Sequence, residues 1–233
     1  MWCGTDTNEI TVQLSGQSVL VDGKVLNARV EGDLPTDNRG AIVIAPGSVR
    51  VEGTLGSSAR ATIIAAAPTN SGSYGTDNAP SIWVGSEVVG MAPNDRTSSV
   101  GFIADGDLIL DETRVCPVTV RGAIITLSGM TSMHPVWRVP FPIGDGTLCM
   151  DKATLEGSIV GHFPPTFKSE VNNTGYNSRT YSYLDALYNN PPPMYPTAGP
   201  WEATIVERAN LDCFLDTGTS VRLITDVNRP DCS

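Results

Sequence analysis

Asp216 stands in the stretch with the sharpest chemical implication, Phe214-Leu215-Asp216-Thr217-Gly218-Thr219-Ser220. Two carboxylates about 3 Å apart cannot both ionise, so such a pair shares one proton and can act as acid and base together. That chemistry needs a second Asp in a matching loop. Asp105-Gly106 and Asp145-Gly146 lack the flanking pattern, and only 17 residues follow Asp216. The plainer reading is a hairpin turn between strands holding Cys213 and Cys232. His134 precedes a proline and His162 precedes Phe-Pro-Pro, both in loop-like sequence, and no G-x-S-x-G elbow exists for a nucleophilic serine. Asp105, Asp107, Asp111 and Glu112 form the densest acidic group. Asp105-Gly106-Asp107 with Asp111 could offer oxygen ligands to calcium, but the ligand order of a calcium-binding helical loop is absent. A solvated acidic turn explains them more simply.

The five cysteines at 3, 116, 149, 213 and 232 show no metal-ligand spacing, and no cofactor is expected. Cys213 with Cys232 and Cys116 with Cys149 are the expected disulfides, leaving Cys3 free. The alternative is five buried thiols in a reducing compartment. Disulfides suit a turn-rich, helix-poor chain outside the cell. A second group of candidates lies in residues 162–201, rich in Tyr, Pro and Asn. Tyr176, Tyr181, Tyr183, Tyr188, Tyr195 and Trp201 make a candidate recognition surface, since aromatic side chains favour binding sites. The same rings could instead lie flat and cover the body of the protein.

The elements that would position these residues are strands. Across 233 residues, 23 Gly and 17 Pro break the chain, and no window of ten or more keeps a 3.6-residue period. An apolar–acid–Gly triplet recurs as Val21-Asp22-Gly23, Val30-Glu31-Gly32 and Val51-Glu52-Gly53, with relatives at Val120-Arg121-Gly122 and Leu155-Glu156-Gly157. Alternating β-branched runs lie between the triplets, so the pattern reads as short strands joined by tight corners. The fold expected is all-β: a β-solenoid, parallel β-helix-like, over 1–161, its first strand at Glu9–Leu14 acting as a cap. Residues 68–80 read as a polar loop, and 131–148, with three prolines, as a surface excursion. Residues 162–233 form a Tyr/Pro-rich covering segment and C-terminal strands packed on the solenoid as one unit. Tyr183 to Tyr188 reads as one helical turn ended by Pro191, Pro192 and Pro193.

The order of motifs resembles a family of large bacterial surface proteins associated with type IV pili. It is carried by Gly40-Ala41-Ile42-Val43-Ile44, Val51-Glu52-Gly53-Thr54-Leu55 and Ala61-Thr62-Ile63-Ile64-Ala65, then Gly101-Phe102-Ile103-Ala104 and Arg121-Gly122-Ala123-Ile124. Glu156-Gly157-Ser158-Ile159-Val160, Gly175-Tyr176, Tyr181-Ser182-Tyr183 and Pro191-Pro192-Pro193-Met194-Tyr195-Pro196 continue it, so that it spans about residues 38–201. The family's Tyr-Asp-x-Arg-Leu is replaced by Tyr183-Leu184-Asp185-Ala186-Leu187, shifted and lacking the Arg. The resemblance implies a β-strand solenoid in a minor-pilin-like surface protein, acting in display or adhesion. One branch of that family meets DNA at the pilus tip.

These signals set the expected function: a non-enzymatic extracellular module, pilus-associated or otherwise on the cell surface, mediating adhesion or contact. Its partners would be pilus or other surface components, a glycan, or a host surface. A glycan-active or glycan-binding solenoid is the alternative. A DNA-binding tip module and an aspartic protease through Asp216 rank below it. The net charge of −10, with 15 basic residues, opposes DNA binding. No apolar run is long enough to cross a bilayer, and no export signal is present, so the export address has either been removed or belongs to a longer precursor.

Overall fold

The computed structural model describes residues 2–3, 9–21, 24–27, 40–67, 79–110, 115–129, 131–133, 149–162, 165, 168–169, 174–193, 195, 214–216 and 221–223. For residues 2, 24–27, 131–133, 149–150, 168–169, 174, 214–216 and 221–223 the description is of the backbone alone. In chain order the strands are β1 (Trp2–Cys3), β2 (Ile10–Gly16), β3 (Ser18–Val21), β4 (Lys24–Asn27), β5 (Ala41–Ala45), β6 (Val49–Leu55) and β7 (Arg60–Ala65). They continue with β8 (Ile82–Val84), β9 (Val88–Met91), β10 (Ser99–Ala104), β11 (Leu108–Leu110), β12 (Val118–Thr126), β13 (Thr131–Met133), β14 (Cys149–Gly161), β15 (Lys168–Ser169) and β16 (Thr174–Ser182). A short helix α1 (Asp185–Asn189) and a hairpin of β17 (Phe214–Asp216) and β18 (Val221–Leu223) complete the set. The protein is all-β, and β1 to β16 form one nearly closed, barrel-like sheet.

Most of the ladders are parallel, and their registers stack like residues above one another. Val43, Ile63, Phe102, Ile124 and Ile159 pair in sequence across β5, β7, β10, β12 and β14. Ile10, Val49, Ile82 and Leu108 form a second ladder, and Val12, Val51, Val84 and Leu110 a third. Apart from the partly buried Ile159, all of these side chains are buried in one core. A parallel pair puts matched residues on the same face, so one apolar position per pass is enough to build a continuous apolar column. Phe102 and Ala104 share the inner face with Leu108 and Leu110 nearby, as their alternation predicts.

Two readings of the sequence need correction. The triplets Val51-Glu52-Gly53, Val120-Arg121-Gly122 and Leu155-Glu156-Gly157 are not corners; each lies inside a long strand. The last two stack residue on residue, Gly122 on Gly157. Gly53 and Gly157 adopt positive φ, which glycine takes readily and residues with a Cβ avoid. Val21 ends β3 and pairs with Lys24 of the antiparallel β4, while Asp22 and Gly23 lie outside the described residues. Val30-Glu31-Gly32 lies outside the described residues. Finally, the stretch read as a surface excursion begins with a strand: β13 pairs in parallel with β11, Leu108 to Thr131 and Leu110 to Met133. The prolines that argued against a strand all come after it.

Candidate functional site

The structure divides the aromatic residues singled out from the sequence. Tyr176, at 1% exposure, is a core residue, and its hydroxyl donates to the Val115 carbonyl at 2.8 Å. Tyr195 packs against the core and lies over Gly101, where an added Cβ would come within 2.8 Å of its ring. Burial pushes the Tyr195 phenol well above its usual range. These two are packing residues, not a recognition surface. Trp201 lies outside the described residues.

Tyr195 belongs to a clasp formed by the proline run. Arg60, nearly buried, donates through Nε to the Pro191 carbonyl at 2.9 Å, and the Thr62 hydroxyl donates to the Pro193 carbonyl. Asn190 Nδ2 donates to the Thr97 carbonyl at 2.5 Å. Small outward positions make room for this: Thr62, Gly101 and Ala123 stack in register under the clasp. Proline has no N–H of its own to satisfy, so a run of carbonyls can face the donors of the sheet's outer side. The helix α1 precedes the clasp and buries Ala186 and Leu187.

The other three rings are open to solvent. Tyr181, Tyr183 and Tyr188 are 47%, 61% and 76% exposed. Tyr181 is on β16, which pairs in parallel with β14. Tyr183 follows that strand, and Tyr188 is on the exposed side of α1. Burial raises the Tyr181 phenol's pKa, and the positive charge of Arg179 partly offsets it. These rings stand on a short span of chain that the packed strand β14 and the buried face of α1 hold in place. Of the six aromatic residues singled out from the sequence, these three are exposed, Tyr176 and Tyr195 are packed, and Trp201 is not described.

The described members of the acidic cluster are buried, not solvated. Asp105 and Asp107 are 1% and 2% exposed, at the turn between β10 and β11. Asp105 Oδ2 accepts from the Ala67 N–H at 2.6 Å, while the Ser128 N–H donates to the Asp105 carbonyl at 2.9 Å. The Asp107 N–H donates to Ser81 Oγ at 3.1 Å. These residues tie together turns of neighbouring passes, which explains burial that a single-turn reading could not foresee. Asp111 and Glu112 lie outside the described residues. Among the described residues no three His, Cys, Asp or Glu side chains are grouped to hold a metal ion.

Asp105 Oδ1 is buried without a hydrogen-bond partner, and desolvation raises the carboxyl's pKa against the opposing Ala67 hydrogen bond. A folded-state pKa raised above the unfolded value favours the native state below the unfolded pKa and loses that benefit as pH rises through the folded one. Asp105→Asn is therefore expected to raise the melting temperature at neutral pH, with the gain vanishing below about pH 4. Thermal unfolding followed by circular dichroism across that range checks it; an equal effect at both ends would rule out the charge as the cause. Asp95 is the opposite case. Burial alone would raise its pKa, but hydrogen bonds from Thr97, Ser57 and Ser98 outweigh it and hold the carboxyl below its ordinary value.

Cys3 is a free, exposed thiol. Cys213, Cys232 and the side chain of Cys149 lie outside the described residues. Asp216 is the last residue of β17 before the loop to β18, opposite Val221. Gly218 and its neighbours in that loop are outside the described residues, as is His134. His162 is exposed at the end of β14. Among the described residues no helix is long and apolar enough to cross a membrane. Comparison of the chain with protein-family models, with curated proteins and with solved structures found no match.

Proposed function

We propose that the wound parallel sheet is a β-solenoid and that it serves as a non-enzymatic extracellular module, pilus-associated or otherwise displayed on the cell surface, for adhesion or contact. The observation that carries this reading is the group Tyr181, Tyr183 and Tyr188, three exposed aromatic rings on one short span of chain. Tyrosine brings a large apolar face with a polar tip and few rotatable bonds, so binding costs it little conformational entropy. A glycan or a host-surface protein is the partner such rings fit. In this reading Cys116 pairs with Cys149 and Cys213 with Cys232, as an oxidising compartment would allow.

Two measurements test this. Mass spectrometry of filaments sheared from the native cells is expected to recover peptides of this chain with the filament protein; recovery from the cell interior alone would sink the surface reading. A Tyr183→Ala, Tyr188→Ala double variant should unfold at the wild-type temperature, because both rings are exposed. It should nevertheless lose about tenfold or more in binding to immobilised glycans or host-cell surfaces. Unchanged binding would remove these rings from the contact.

A further inference from the structure

The span from α1 to Tyr195 crosses the outer face of the stacked strands and then turns back. Along the ladder the passes follow the order β5, β7, β10, β12 and β14. The span starts on β14, where a Cβ on Gly157 would lie 3.2 Å from Leu187 Cδ1. Asn190 then bonds to the Thr97 carbonyl just before β10, and Pro191 and Pro193 accept from Arg60 and Thr62 on β7. Pro193 reaches Gly40 at the entry to β5, where an added Cβ would meet its Cγ at 2.7 Å. There the chain reverses, and the Tyr195 N–H donates to the Pro192 carbonyl at 3.1 Å. The Tyr195 ring covers Gly101 on β10; burial raises its phenol's pKa, which the Ser158 side chain on β14 partly offsets.

In a stack of parallel passes each one rests on its neighbours, so opening can begin at one end and stop partway. A span anchored at once to the entry of β5, to β7, to β10 and to β14 changes this. None of these passes can leave without breaking contacts that hold the others too. We infer that the span from Leu187 to Tyr195 is a latch that makes the passes from β5 to β14 open as one unit, and that releasing it lets them open separately. The anchors on β7 suit this task. Their donors are the side chains of Arg60 and Thr62 and their acceptors are proline carbonyls, so the backbone ladder is left intact beneath them. The floor under the latch is small, with Thr62, Gly101, Ala123 and Ser158 in register, which lets the span lie close to several passes together. This inference is independent of the adhesive role proposed above, since none of its anchors is Tyr181, Tyr183 or Tyr188.

Native-state hydrogen exchange of the full chain in dilute urea, read by mass spectrometry, tests it. In the wild type the amides of β5, β7, β10 and β14 are expected to exchange through one common opening. Tyr195→Ala takes the ring off Gly101, and the protection of β5 and of β14 should then separate by about tenfold or more. Phe102→Ala is the control. It removes a ring from the core instead of the latch, so protection should fall on all four strands together. Thr62→Val keeps the shape of the side chain and removes one anchor, and should separate the strands by about threefold. A wild type whose strands already exchange separately overturns the proposal. So does a Tyr195→Ala chain, or a Thr62→Val chain should the first variant not fold, whose four strands still open together. Separation of the same size in Phe102→Ala overturns it equally.

Discussion

Phe102→Ala is expected to lower the unfolding free energy by about 3–5 kcal/mol, measured by chemical denaturation. The ring is 1% exposed and stands third in the column Val43–Ile63–Phe102–Ile124–Ile159, with ladder partners on both sides. Its Cε2 is also the side-chain atom nearest to the place where a Cβ on Gly122 would sit, 3.0 Å away. The Gly is small where the ring is large. Collapse of neighbours into the cavity is limited, because each is fixed by backbone pairing to the pass beside it. A loss below about 1 kcal/mol would mean that the columns repack freely, against the rigidity that the registers imply.

The second large effect is expected at Gly157. Its φ is +144°, and an added Cβ would lie 1.9 Å from the carbonyl oxygen of Gly122 on the adjacent strand. Gly157→Ala must therefore both adopt a conformation that L-residues avoid and push apart a paired backbone. The expected cost is about 3 kcal/mol or more. Gly16 is the control: it also has positive φ, +58°, but nothing stands within 4 Å of its missing Cβ. Gly16→Ala should lose only about 1 kcal/mol, the conformational part alone. Equal losses at the two positions would show that the strand–strand approach at Gly157 relaxes easily.

The same glycines show where the sequence stops being legible. Alternation alone identified the strand that holds Phe102 and Ala104, and the inward set there follows from the period of two. A Gly after an apolar–charged pair, however, looks the same whether it turns the chain or lets a neighbouring strand approach. Only the partner, Gly122 across from Gly157, distinguishes the two, and it is 35 residues away. Asp105 misleads for the same reason. Its burial is set by Ala67 and Ser128 on other passes, at 38 and 23 residues' distance. Within the tyrosine-rich segment, composition marked the region, but the register of β16 and the proline clasp decided which rings face inward. The helical turn before the prolines was readable locally because proline stops a helix whatever surrounds it.

The matched registers also bear on how this chain could change length over generations. Three residues, 46–48, join β5 to β6, whereas sixteen, 66–81, join β7 to β8, yet β8 still falls into register with β6. Closing the longer connection costs only about 1.5 kcal/mol more in chain entropy. Insertions and deletions can therefore accumulate between strands at small energetic penalty, while a single-residue slip within a strand would turn an entire row of side chains inside out. Drift in this lineage should be written in the connections, and the ladders should keep their count.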